Sequence, residues 1–150
     1  AKTLTDISSK QWNHTFDNNV NSMFWMTKYA LPYLNKGASI INTTSVTAYR
    51  GSDHLIDYAT TKGAIVSYTR SLASNLVSKG IRVNAVAPGA VWTPLIASSF
   101  SEDDVATFGS DNPMKRAAMP NEIAKVVIFL ASDDSKYING EIIKIDGGKQ

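Results

Sequence analysis

Three side chains in this sequence have the types and spacing to move a proton: Ser45, Tyr58 and Lys62. Tyr58 and Lys62 stand four residues apart, so on a helix they share a face and the ammonium can lie near the phenol. A free phenol titrates near ~10, too high for a good base at neutral pH. A fixed cation nearby favours the phenolate, and lowering a phenol's pKa by ~3 corresponds to about 4 kcal/mol of such interaction. A tyrosine tuned in this way can give a proton to, or take one from, a substrate oxygen. Ser45, whose hydroxyl both donates and accepts, can hold that same oxygen. Taken alone, Tyr-x-x-x-Lys also describes a tyrosine on a core face and a lysine snorkelling to water. An isolated serine is commonly a turn or cap residue. The case rests on whether the fold brings the three together.

The elements that must do so can be read from periodicity. Phe16, Val20, Met23, Thr27, Ala30/Leu31 and Leu34 recur at spacings of three and four and predict one helix, capped at Asp6 or Ser8-Ser9 and stopped at Asn35-Lys36-Gly37. Ser39–Thr43 is β-branched, short and bounded by Gly37, which predicts a buried strand. Residues Thr44 to Asp57 lack a period and read as a loop. Tyr58, Lys62, Ile65, Thr69, Leu72 and Leu76 predict a second helix that Tyr58 opens and Lys79-Gly80 closes. Ile81–Val86 is a second strand, ended by Pro88-Gly89. Residues Ala90 to Pro120 are weakly patterned, with one short helix near Glu102 to Phe108. A connection that long is usually a lid or a binding loop. Pro120 starts a third helix with Ile123, Val126, Val127 and Leu130 on its buried face, and Glu141–Ile145 is a last strand before Asp146-Gly147-Gly148. Helix and strand alternate throughout, which predicts a parallel sheet with right-handed crossovers. In such sheets ligands bind beyond the carboxyl ends of the strands, the edge from which the loops after Thr43 and Val86 depart.

Composition narrows the function classes. The 150 residues are 43% hydrophobic and 19% charged, ordinary for a folded chain. Fifteen Lys plus Arg against 13 Asp plus Glu leave a net charge of +2, which makes no case for nucleic acid or an anionic membrane as partner. With no cysteine there are no disulfides, thiolate metal sites or Cys nucleophiles, and a reducing, cytoplasmic setting is the expectation. The two histidines, His14 and His54, are too far apart in the sequence to make a case for a metal site. No apolar run approaches the length of a bilayer span, and Ala1–Asp6 has no signal-peptide apolar core.

The motifs together resemble the short-chain dehydrogenase/reductase family over nearly the whole chain. Tyr58-Ala59-Thr60-Thr61-Lys62 resembles its Tyr-x-x-x-Lys signature, and Ser45 stands thirteen residues before Tyr58, as the family's serine does. Ile40–Ser45 is similar to the strand leading into that serine. Arg82–Gly89 followed by Thr93 resembles its Asn-x-x-x-Pro-Gly…Thr segment, and Ile138-Asn139-Gly140 through Gly148 its last strand. Tyr49-Arg50-Gly51, Leu55–Tyr58 and Trp92–Ile96 are similar to a bacterial branch named after glucose or ribitol dehydrogenases.

The resemblance implies a fold and a set of roles. The fold would be α/β, the C-terminal part of a doubly wound Rossmann-type parallel sheet with three strands and three main helices. Residues 1–150 would then be one partial domain holding the catalytic and substrate-loop portion. Tyr58 would be the general acid/base, Lys62 its cationic neighbour and a ligand of the nicotinamide ribose, and Ser45 the group holding the substrate oxygen. Asn19, or the adjacent Asn18, would feed a proton relay to the lysine. Pro88, Gly89, Val91 and Thr93 would contact the nicotinamide end of NAD or NADP. Trp92 and Leu95, with Ile96 and Phe108, would wall the substrate loop or simply pack beneath it. The substrate would be a small alcohol or carbonyl compound. The two long helices, Asp6–Leu34 and Tyr58–Lys79, would form the contact of a homo-oligomer, a dimer or tetramer.

One family feature has no counterpart here. No glycine-rich turn precedes a helix in the way that cradles a dinucleotide pyrophosphate. The chain enters the family pattern just before the helix carrying Asn19, so the N-terminal dinucleotide-binding half is expected to lie outside it, as a missing partner segment. Two readings follow: an oxidoreductase portion incomplete by itself, or an inactive piece acting only as an assembly module.

Overall fold

The structure, a computed structural model, describes residues 3–149. Three strands, β1 (Ser39–Thr43), β2 (Arg82–Pro88) and β3 (Ile142–Ile145), form a parallel sheet in the order β1-β2-β3. Ser39 stands opposite Arg82 and Thr43 opposite Val86, while Ala85 to Pro88 pair with Ile142 to Ile145. Both faces of β2 are buried, as its near-continuous apolar run requires of a central parallel strand.

Helix α4 (Ile56–Leu76) lies on the face that carries Val83, Ala85 and Ala87. Its buried residues, Asp57, Thr61, Ile65, Thr69, Ala73 and Leu76, form an almost unbroken i,i+4 stripe. Leu76 is wholly buried against Ile81 and Val83, worth about 2–3 kcal/mol by transfer from water. Helix α7 (Pro120–Ala131) packs on β1 and β2 with Leu130 buried. The Arg82 guanidinium holds its end, donating to the carbonyls of Leu130 (3.1 Å) and Ser132 (3.2 Å). Asn84, fully buried, donates to the Ile138 carbonyl and accepts from the Glu141 amide, both at 2.9 Å, which fixes the turn into β3.

Three expectations are corrected. The first helix is not continuous: α1 (Ser9–Phe16) and α2 (Ser22–Ala30) are joined by a π turn, Asp17–Asn21, in which the Ser22 amide reaches back five residues to the Asp17 carbonyl. The segment read as loop before Tyr58 contains a short helix α3 (Thr47–Arg50), and α4 begins at Ile56, so Tyr58 sits inside its first turn instead of opening it. The 90–120 stretch holds two short helices, α5 (Pro94–Ser99) and α6 (Glu102–Thr107), where one was expected. Pro94 at the first turn of α5 and Ser101 capping α6 through the Asp104 amide explain both. Among the described residues no helix is long and apolar enough to cross a membrane.

The start of α7 carries a pH prediction. Glu122 accepts two 2.7 Å bonds from the Arg116 guanidinium and one of 2.8 Å from the Met119 amide, which hold its carboxyl down at about 2. A carboxyl depressed in the folded state stabilises it fully above the ordinary value near 4.5, and that support is lost as pH falls toward 2. In Arg116→Ala the Glu122 carboxyl is expected to return toward the ordinary carboxylate range, which a carbon-detected NMR titration of its side chain reads directly.

Candidate active site

The strand ends build the site. Past β1 the backbone keeps pairing with β2: the Thr44 amide donates to the Val86 carbonyl (2.9 Å) and the Val46 amide to the Pro88 carbonyl (3.2 Å). This carries Ser45, 8% exposed, to the level of Pro88 and Gly89. The Gly89 amide in turn donates to the Ile145 carbonyl at the end of β3. A side chain at Gly89 would put its Cβ 2.9 Å from the Asp146 Cα, so only glycine lets these strand ends close up.

Ser45, Tyr58, Gly89 and Leu95 line one cleft of about 690 Å³, with Arg50, Ile96, Phe100, Phe108 and Asn112 among its other walls. Trp92 reaches it through Phe108, their ring centroids 6.2 Å apart. Ser45 Oγ accepts from the Thr47 amide at 3.2 Å, and its proton is directed to no described partner. Pro88 and Val91 lie on a separate apolar groove beside α7, and Thr93 is the N-cap residue of α5 with no side-chain cap bond.

Lys62 lies one turn beyond Tyr58, its Nζ 5.3 Å from the Tyr58 ring centroid. It also donates to the Thr43 carbonyl (3.1 Å), while Thr44 Oγ1 donates to the Lys62 carbonyl (2.6 Å). This reciprocal pair ties the end of β1 to α4, the first bond holding the ammonium and the second the backbone that carries it. Burial pushes the Lys62 ammonium below the ordinary lysine range. Its outer side joins a second pocket of about 410 Å³ lined by Asn18, Asn19, Ile41 and Thr43.

Asn19 and Asn18 part company here. Asn19 Nδ2 donates to Thr61 Oγ1 (3.0 Å), which donates to the Tyr58 carbonyl (2.7 Å), whereas Asn18 meets His14 at 3.3 Å on the exposed side. The residues that sequence reasoning missed are the supports: Thr44, Thr61, and Asp57 with its partners Gln11 and Thr15. For Gln11 and Thr15, and for Asp57 and Thr61, the signal was polar side chains spaced by four on one helix face; Thr44, just past β1, carried no such mark. Asp57 Oδ2 accepts from Gln11 Nε2 (3.0 Å) and Thr15 Oγ1 (2.8 Å), and these bonds, Gln11 first, hold its carboxyl below the usual carboxylate range.

Known proteins resemble this chain along its whole length. A family model described as enoyl-(acyl carrier protein) reductase matches residues 1–150. The chain is 57% identical to the uncharacterized oxidoreductase YhxC of Bacillus subtilis, over 97% of this chain and 51% of that protein. It is 52% identical to a glucose and ribitol dehydrogenase of Daucus carota, over 99% of this chain and 51% of that one. A solved short-chain dehydrogenase/reductase from Brucella melitensis, titled glucose/ribitol dehydrogenase, superposes with TM-score 0.90 at 38% identity, covering 99% of this chain and 60% of that structure. The chain belongs to the short-chain dehydrogenase/reductase family, and its fold is the corresponding part of a Rossmann-type sheet. It spans about half the length of the curated relatives it matches.

Proposed function

We propose that this chain carries the proton-transfer portion of an NAD(P)-dependent oxidoreductase acting on an alcohol or carbonyl substrate. The supporting observation is the convergence of Ser45 and Tyr58 on one cleft, with the Lys62 ammonium anchored beside the Tyr58 ring. A bound NAD(P) would supply the hydride chemistry at the carbinol or carbonyl carbon. The chain's own residues handle the proton. Ser45 Oγ donates to the substrate oxygen and orients it. Tyr58 Oη takes the proton that the alcohol loses, and supplies it to the carbonyl oxygen in the reverse direction. Lys62, beside the phenol, passes the proton outward, with Asn19 as the relay residue on the pocket beside it.

The residues present fit the nicotinamide end of the cofactor. Lys62 Nζ spends one donor on Thr43, and its pocket is open to ribose hydroxyls. Pro88 ends β2 and Gly89, Val91 and Thr93 follow it at the same edge, and Leu95 and Trp92 serve the substrate side. No glycine-rich phosphate turn occurs among the described residues. In this reading residues 1–150 are one partial domain, working in the cytoplasm within a dimer or tetramer and together with a polypeptide that bears the dinucleotide cradle.

The test is reconstitution with a separately expressed family N-terminal half, followed through NAD(P)H absorbance over a panel of small alcohols and aldehydes. Substrate-dependent turnover is expected only with both polypeptides present. An assembly that binds NAD(P)H and turns over none of the panel sinks this reading. A second reading, assembly without chemistry, draws on α2, where Phe24, Trp25, Met26 and Tyr29 are exposed together. Under it, sedimentation shows the chain self-associating while NAD(P) titration shows no binding.

A further inference from the structure

Asp57 is a buried carboxylate, 6% exposed, directly before Tyr58. An acid in such a place costs free energy unless its oxygens are bonded. Both side-chain donors that reach it come from α1, one turn apart: Gln11 and Thr15, on the single oxygen Oδ2. One turn further along both helices, Asn19 donates to Thr61. Thr15 to Asp57 and Asn19 to Thr61 have the same sequence offset, so the two pairs are successive rungs between parallel helices. Hydrophobic contact is non-directional, whereas a carboxylate accepting two charge-assisted hydrogen bonds from donors one turn apart ties the two helices at one axial position. Along the first two turns of α4 the stripe facing inward is Asp57 and Thr61, both polar and both bonded to the α1–π-turn segment.

We propose that Asp57 is a positioning residue: its carboxylate locks the register of α1 and the π turn against α4, and so places Asn19 relative to Tyr58. The functional meaning of that placement rests on the proton-relay reading above; the register lock itself does not. The two groups it aligns sit on different chain segments and are joined through Thr61, whose hydroxyl accepts from Asn19 and donates to the Tyr58 carbonyl. If α1 slides or rolls, Asn19 leaves Thr61 while Tyr58 stays with α4.

The experiment uses the whole 150-residue chain, labelled for NMR, comparing Asp57→Ala, Asp57→Asn and Thr15→Val with the parent. In Asp57→Ala the Asn19 side-chain amide is expected to lose its distinct shift, and amide exchange in residues 11–21 to rise at least tenfold with β2 unchanged. Asp57→Asn, which keeps one acceptor oxygen, is expected to fall between. Thr15→Val removes one donor without emptying the site and is expected to raise exchange in the same segment, so a failure of Asp57→Ala to fold still leaves a decision. Unaltered Asn19 resonances and exchange within twofold of the parent in Thr15→Val and in any folded Asp57 variant overturn the proposal, as does an equal rise across all helices and strands. In the reconstituted assembly Asp57→Asn is further expected to lower kcat severalfold at unchanged KM. If the parent assembly has no turnover the proton-relay reading fails, while the NMR result still decides the register lock.

Discussion

Tyr58→Phe is expected to lower turnover of the reconstituted protein by ~10²–10⁴-fold, the usual worth of a positioned acid/base, or roughly 3–5 kcal/mol in the barrier. The substitution removes one oxygen and keeps the ring. Lys62 stays where it is, because its tether is the Thr43 carbonyl and the Thr44 hydroxyl, not the phenol. The Tyr58 backbone carbonyl still accepts from Thr61, so the first turn of α4 is undisturbed. Thermal unfolding and oligomeric state should therefore match the parent, and loss of rate can be assigned to the missing proton group. Steady-state kinetics beside a melting curve makes the measurement. Full activity in Tyr58→Phe would remove Tyr58 from the chemistry.

Gly109→Ala is the largest structural effect expected. Gly109 is buried with φ +83°, and an added Cβ would fall 2.4 Å from the Ala117 amide nitrogen, 2.7 Å from its Cα and 2.8 Å from the Arg116 carbonyl carbon. Every one of these is backbone, so no side chain can turn aside. The left-handed conformation costs a non-glycine residue about 1–2 kcal/mol and overpacking another 1–3. The result should be local: the turn from Gly109 to Ala117 opens, and Phe108 and Asn112 lose their places on the cleft wall. Hydrogen exchange should rise across 105–118 and stay unchanged in β2. Gly63→Ala is the control, since a Cβ there meets nothing within 4 Å and α4 gains ~0.5–1 kcal/mol from the better helix former. Equal protection of the 105–118 segment in both variants would contradict this account.

The strands and long helices were legible because burial on both faces of a parallel sheet leaves strong marks. The β1 bounds were read as they stand, and β2 runs two residues further, to Pro88, because its last two residues still pair with β3. The convergence of Ser45 and Tyr58 was legible too, since the carboxyl edge of such a sheet is fixed by topology. Less legible was the α1–α2 segment. Apolar spacing puts Phe16 in line with Val20, Met23 and Thr27, as in an unbroken helix. The extra residue of the π turn changes this: at ~100° per residue, Thr15 comes to within ~20° of Thr27 instead of ~120°. Thr15 then meets Asp57, and the Phe16 ring lies tilted against Trp12 with centroids 5.1 Å apart. Hydrophobic periodicity carries no mark of a π turn, so polar residues spaced by four did not show which helix they would meet. The short helices α3 and α5 escaped for another reason: four to six residues show no period, and neither has the acidic first turn that marked α6.

That same π turn behaves as a one-residue insertion. Deleting one residue between Asp17 and Asn21 would leave an ordinary helix whose two flanks keep their present phases, Gln11 and Thr15 toward α4 and Leu31 and Leu34 toward the core. The additional residue is therefore spent on presentation: it bulges the backbone where Asn19 and Asn18 part, sending one toward Thr61 and the other toward His14. A single-codon deletion there separates the demands of folding from those of the site.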